Sequence, residues 1–161
     1  MYVSVLTIIL AAVLVFMVWV MRSNMKIKIM GETQSNANNA LDIMLQEIKT
    51  ASEIYTPTSI FDSTPGQLSL KTASYLPSGE TASYIDFYIC GTKVCFKKES
   101  QNPIALTSES VTVNKLVFSR VVTGSMPSIQ VELEVAYNGA SLRPESQSVV
   151  NLKSAAALRQ W

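Results

Sequence analysis

The first segment constrains this chain more than anything else in it. From Val3 to Met21 it reads V-S-V-L-T-I-I-L-A-A-V-L-V-F-M-V-W-V-M, and no charged side chain appears before Arg22. The polar side chains in that run are Ser4 and Thr7, and both can bond back to a helix carbonyl. A bilayer core of about 30 Å is spanned by about twenty such residues in a helix. Trp19 near the far end suits an interfacial position, and Arg22 closes the run. A cleaved secretory signal would want a basic leading region, a shorter apolar core and a small-x-small site, and Val20-Met21-Arg22-Ser23 is a poor site. A buried core helix is rarely apolar over such a length. Residues 1–22 therefore read as a retained transmembrane segment. Its Val3, Leu6, Leu10, Val13, Leu14, Met17, Trp19 and Met21 have nothing in this chain to pack on and must face lipid or other subunits.

The helix is expected to continue. No proline follows Arg22 until Pro57, and Gly31 is the sole glycine between them, costing about 1 kcal/mol relative to alanine. Ala37, Leu41, Met44, Leu45, Ile48, Ala51 and Tyr55 follow the i, i+3, i+4, i+7 spacing of one apolar face. Asn36, Asn38, Asn39, Asp42, Gln46, Glu47 and Lys49 take the other sides. Thr56-Pro57 ends the pattern, because the residue before proline is pushed out of helical space. The spacing predicts one helix, bent near 23–31, reaching to about Tyr55 and about 80 Å long. Residues 23–56 form its amphipathic continuation.

Beyond Pro57 the period becomes two. Strands are expected at Gln67 to Thr72, Ala82 to Cys90, Val94 to Glu99, Val113 to Val122, Ile129 to Tyr137 and Ser148 to Leu158. Ile129, Val131, Leu133, Val135 and Tyr137 alternate with Gln130, Glu132 and Glu134, as in an antiparallel strand with one wet face. Thr64-Pro65-Gly66, Pro77-Ser78-Gly79, Asn102-Pro103, Gly124 to Pro127 and Asn138-Gly139 mark turns. The fold class is α+β: one long N-terminal helix packed on an antiparallel sheet formed by residues 57–161.

Cys90 and Cys95 flank Gly91-Thr92-Lys93-Val94. A two-residue loop at Thr92-Lys93 would pair Gly91 with Val94 and set Cys90 opposite Cys95, within disulfide reach. Ile85, Phe87 and Ile89 then share a face with Val94 and Phe96. A disulfide would imply an oxidising compartment; two reduced thiols are the other reading. Zinc needs four ligands of Cys, His or carboxylate type in close array, and the chain has no histidine and only these two cysteines. No metal or cofactor site is expected.

A Ser–His or Cys–His pair is impossible without histidine, and no G-x-S-x-G, phosphate loop or H-E-x-x-H occurs. Glu132 and Glu134 sit on the wet face of a strand, and Lys97, Lys98 and Arg120 read as surface charges. The net charge of +1 lacks the clustered basic excess of a nucleic-acid binder. The expectation is a protein that is not an enzyme and does not bind nucleic acid.

A half-membrane, half-amphipathic N-terminal helix capped by a small antiparallel sheet resembles the type IV pilin and pseudopilin superfamily, most closely the minor J-like and H-like pseudopilins of type II secretion. Val3 to Arg22 carries the resemblance, with Asn39-Ala40-Leu41-Asp42-Ile43-Met44-Leu45-Gln46-Glu47-Ile48 similar to the family's second half-helix. Pro103 to Ser108, Val111 to Phe118 and the closing Ser154-Ala155-Ala156-Ala157-Leu158-Arg159 are similar to its sheet. The resemblance implies a single-pass protein of a bacterial inner membrane with the C-terminal domain outside the cytoplasm. It implies assembly with other pilin or pseudopilin subunits through the helix, into a type IV pilus or a type II secretion filament. The lipid bilayer is the partner before assembly.

The family's signature, a G-F-T-L-I-E-like cleavage site at the head of the apolar run, does not occur in these residues, whose first glutamate is Glu32. Tyr2-Val3-Ser4-Val5-Leu6 is similar to sequence that follows that signature. The resemblance thus implies that the prepilin peptidase site, the methylated terminus and the assembly glutamate lie upstream of Met1. Arg22, Lys26 and Lys28 point to a cytoplasmic flank by the positive-inside rule, whereas family topology and a disulfide place them outside. A non-polymerising single-pass anchored binding or sensing domain is the alternative function, and an anchored hydrolase of unrecognised type a more distant one.

Overall fold

The computed structural model describes residues 2–158 except 75, 77, 100, 124, 125 and 140–146. Met1, Pro77, Gly124 and Arg159, used above as segment or turn markers, lie outside the described residues.

Helix α1 runs without interruption from Tyr2 to Thr50, about 74 Å at 1.5 Å per residue. It stops short of the expected Tyr55. Ala51 N–H still bonds the Glu47 carbonyl at 2.9 Å, but the Ser52 N–H bonds the Lys71 carbonyl at 2.9 Å and the Tyr55 N–H bonds the Ser69 carbonyl at 2.9 Å. Pairing with a distant strand draws the chain off the helix before proline can. Tyr55, expected on the helical stripe, is 37% exposed and meets the Tyr84 ring edge-on at 4.9 Å.

The strands are β1 (Glu53–Ile54), β2 (Leu68–Thr72), β3 (Ser83–Cys90), β4 (Lys93–Lys98), β5 (Ile104–Ala105), β6 (Val111–Thr123), β7 (Met126–Tyr137) and β8 (Val149–Ala157). Among the described residues they form two antiparallel sheets, not the single sheet expected: β1-β2-β3-β4-β5 and β6-β7-β8. Each sheet is a simple meander in which consecutive strands are antiparallel neighbours, with tight turns at β3–β4 and β6–β7 and longer connections elsewhere.

Alternation explains the burial. In the first sheet Leu68 opposes Phe87, Leu70 opposes Ile85 and Phe87 opposes Phe96, and all are buried. In the second, Val131 opposes Phe118, Leu133 opposes both Leu116 and Leu152, and Val135 opposes Val113 and Val150. The register slips between Val113 and Lys115. A bulge there keeps Val111 and Val113 on the same inner face as Leu116 and Phe118 although the spacing changes parity.

The C-terminal half of α1 lies on β7 and β8. Ala37, Ala40, Met44 and Ile48 are fully buried. The small side chains of Ala37 and Ala40 on the helix, and of Ser154 and Ala156 on β8, suit close approach. Each large apolar side chain so buried contributes about 1.5–3 kcal/mol. The two sheets meet at β6, which approaches β3 and β4. Its outer edge has partners between Val113 and Phe118: Asp62 N–H bonds the Phe118 carbonyl at 2.9 Å, Gly66 N–H bonds the Leu116 carbonyl at 2.8 Å, and Val113 N–H bonds the Thr92 carbonyl at 2.8 Å. A Cβ at Gly66 would stand 3.0 Å from the Leu116 carbonyl oxygen, so this close approach requires glycine.

Candidate functional site

The feature open to function is the N-terminal half of α1. Every described side chain from Tyr2 to Lys28 is exposed except half-buried Val20. Burial begins at Ile29 and recurs at Thr33, Ala37, Ala40, Leu41, Met44 and Ile48. One helix is therefore bare and apolar over its first half and packed over its second. It is long and apolar enough to cross a membrane.

The residues singled out from sequence, Val3, Leu6, Leu10, Val13, Leu14, Met17, Trp19 and Met21, are between 55% (Val13) and 75% (Val3) exposed. At about 100° per residue, Leu6, Leu10, Val13, Leu14, Met17 and Met21 share one flank, while Ser4, Thr7 and Ala11 share another. The Thr7 hydroxyl donates to the Ser4 carbonyl at 2.9 Å, which removes its need for water. Farther along, the buried Thr33 hydroxyl does the same to the Ile29 carbonyl at 2.9 Å. Phe16 and Trp19 lie with ring centres 6.3 Å apart. Arg22, Lys26 and Lys28 follow on exposed positions.

The chain matches no protein-family model, no curated protein and no solved structure.

Cys90 and Cys95 are joined, with Cα atoms 5.8 Å apart, but not across the expected register. Ile89 opposes Val94, Cys90 opposes Lys93 and Tyr88 opposes Cys95. The two-residue loop is Gly91-Thr92, with Gly91 at φ +65°. Positive φ at the first loop position suits glycine and a type II′ hairpin, whose twist matches the strands. The cysteines are thus diagonal neighbours on one face, within disulfide reach. The shift is two residues, so Ile85, Phe87, Val94 and Phe96 keep the shared inner face.

Charged groups elsewhere make contacts within the fold. Lys115 Nζ donates to Glu132 Oε1 at 2.7 Å, and that hydrogen bond holds the Glu132 carboxyl below its ordinary 4.5 against a smaller opposing effect of burial. Asn114 donates to Glu134 at 3.2 Å. Lys98, expected as a surface charge, is half-buried with Nζ 5.2 Å from the Phe96 ring centre. Partial burial pushes Glu47 above 4.5, and Lys98 opposes that shift. Asn36 Oδ1 accepts from the Ser108 N–H at 2.9 Å. Asn36 thereby ties one flank of α1 to the connection between β5 and β6.

A concavity of about 350 Å³ lies where the helix ends, lined by Ser52, Glu53, Thr56, Arg120, Pro127 and Leu158. Its carboxylate is already 3.7 Å from Lys71 Nζ, and it offers no paired acid and base. Among the described residues no group of three or more His, Cys, Asp or Glu converges.

Proposed function

We propose that this protein is a membrane-anchored, non-catalytic structural subunit of the minor pilin and pseudopilin type, assembled into a filament through α1 with its sheet domain outside the cytoplasm. The observation that carries the reading is the division of α1 into a bare apolar half and a half buried on the second sheet. A helix satisfies its own backbone hydrogen bonds, so its apolar surface can pass between lipid and a core of neighbouring helices without exposing polar groups. Ala11 and Ala12 would allow close helix approach. The Cys90–Cys95 bond fits an oxidising, extracytoplasmic setting. In that topology Arg22, Lys26 and Lys28 stand at the outer headgroups, and a basic segment on the cytoplasmic side would set the orientation.

Two measurements on protein from native membranes test the reading together. The first is the N-terminal sequence and mass, expected to show an N-methylated residue upstream of Tyr2 followed by a glutamate. The second is oxidative crosslinking of Leu10→Cys and Leu14→Cys variants, expected to join the helix to copies or homologous subunits. An unmodified Met1 terminus with no helix crosslinks would leave a non-polymerising anchored domain and end the filament reading.

A further inference from the structure

Among the described residues the longest run of strand edge without backbone partners lies on β8. β1 and β5 are two residues long, too short to template another strand. The edge of β6 bonds Asp62, Gly66 and Thr92. β8 is nine residues long and ends its sheet. Tyr137 N–H bonds the Ser148 carbonyl at 2.8 Å and Leu158 N–H bonds the Pro127 carbonyl at 3.3 Å. With the β7–β8 register, this directs the backbone of Val150, Leu152, Ser154 and Ala156 toward β7. Val149, Asn151, Lys153, Ala155 and Ala157 then turn both N–H and C=O groups to the open edge. All five are exposed, and among the described residues none has a backbone bond to another segment.

We propose that this edge is a docking site for an extended segment of another protein, added as a fourth strand beside β8, with an acidic residue facing Lys153. Unpaired edge groups are obligate hydrogen-bonding groups and pair readily with an extended chain. The chemistry of the occupant follows from the two faces of the edge. On the outer face Lys153 is the sole charged side chain of β8, opposite Glu132. The row runs Glu132, Lys153, and an acid in the next strand continues the alternation of charge. On the inner face β8 carries buried Val150 and Ala156 and half-buried Leu152, which favours apolar residues at the other alternate positions.

A second copy pairing antiparallel through β8 fits poorly. The two-fold axis would run perpendicular to the sheet and reverse one α1 relative to the other, so the two apolar half-helices would point in opposite directions. A single lysine on a nine-residue edge also blunts it only at one point.

The test uses the full chain in detergent micelles and a nine-residue probe peptide alternating valine and glutamate, with an alternating valine and lysine peptide as control. Amide hydrogen exchange is read residue by residue. At about 1 mM valine–glutamate peptide, exchange at Val149, Asn151, Lys153, Ala155 and Ala157 is expected to slow about tenfold or more. Ala155→Pro removes an N–H that makes no bond within the protein, so the fold is kept while peptide affinity falls about tenfold or more. Ala155→Val keeps that N–H and keeps binding. Lys153→Glu reverses the preference toward the lysine peptide. Absence of protection, or protection that survives Ala155→Pro, overturns the proposal. Protection that rises with protein concentration alone, without peptide, assigns the edge to a second copy and overturns it equally.

Discussion

Two charges in the bare half of α1 should prevent its insertion without touching the sheet domain. Leu10 and Leu14 are 61% and 56% exposed, lie one turn apart on one flank, and contribute nothing to the core. Twelve Val, Leu, Ile and Phe residues lie between Val3 and Val20. At about −0.3 to −0.6 kcal/mol each on an insertion scale, they favour insertion by about 4 to 7 kcal/mol. An arginine near the helix centre costs about 2.5 to 3.5 kcal/mol, so Leu10→Arg alone swings the balance by about 3 to 4 kcal/mol and still permits insertion. Leu10→Arg with Leu14→Arg swings it by about 7 kcal/mol, which cancels the favourable total. Alkaline carbonate extraction of membranes should leave the single variant in the pellet and release the double variant. Near-UV circular dichroism of the double variant should melt at the wild-type temperature, because neither side chain packs on the sheets. A double variant retained in the membrane like wild type would refute the account of the apolar half, and a lowered melting temperature would refute its independence from the domain.

Met44 is fully buried between helix and sheet, so Met44→Ala should cost about 2–5 kcal/mol in urea unfolding. Burial raises the folded pKa of Glu47, so the native state holds its proton more tightly than the unfolded chain; stability from this group is therefore lost as pH rises from about 4.5 through the folded value. Glu47→Gln should raise the melting temperature at pH 7 and leave it unchanged at pH 3.5. Glu132 behaves in the opposite sense: its lowered pKa stabilises the fold above pH 4.5, and that contribution disappears as pH falls through the folded value. Lys115→Met should remove this acid sensitivity, read from melting curves at low pH. Gly66→Ala should cost about 1–3 kcal/mol, because the added methyl meets the Leu116 carbonyl oxygen and the Phe118 ring.

The sequence made most of the helix and the longer strands legible, because each carries a periodicity that local chemistry enforces. Val3 to Met21 is apolar all round, and Ile129 to Tyr137 alternates cleanly. Hidden features depend on distant partners. Ala51 and Tyr55 continue the helical spacing, yet the carbonyls of Lys71 and Ser69 take the backbone beyond Thr50 into β1. β1 and β5 are too short for any period to register. The hairpin of Cys90 and Cys95 allows two registers that bury the same side chains, and the choice between them rests on where glycine's positive φ is placed. Nothing local says that β5 ends one sheet and β6 begins another, since both are joined by short antiparallel connections. The exposed apolar half of α1 was readable because exposure of such a run follows from having no partner in the chain. The open edge of β8 was not, since edge position is a property of the sheet.

The unbroken helix also fixes how the two halves act on each other. Tyr2 to Met21 spans about 30 Å, and Arg22 to Lys28 adds about 10 Å before Ile29 is buried. A headgroup layer occupies about 5–7 Å of that on one side of a bilayer. A domain carried on such a helix would stand almost against the headgroups, with little slack and no proline before Pro57 to act as a hinge. Rotation of the apolar half about its axis is then rotation of the whole domain, because Ala37, Ala40, Met44 and Ile48 lock the same helix onto β7 and β8. Any contact that sets the angle of Leu6, Leu10 and Leu14 against a neighbouring helix would also set which face of the domain meets that neighbour. One continuous element thus couples lateral packing in the apolar layer to the direction in which β8 presents its free edge.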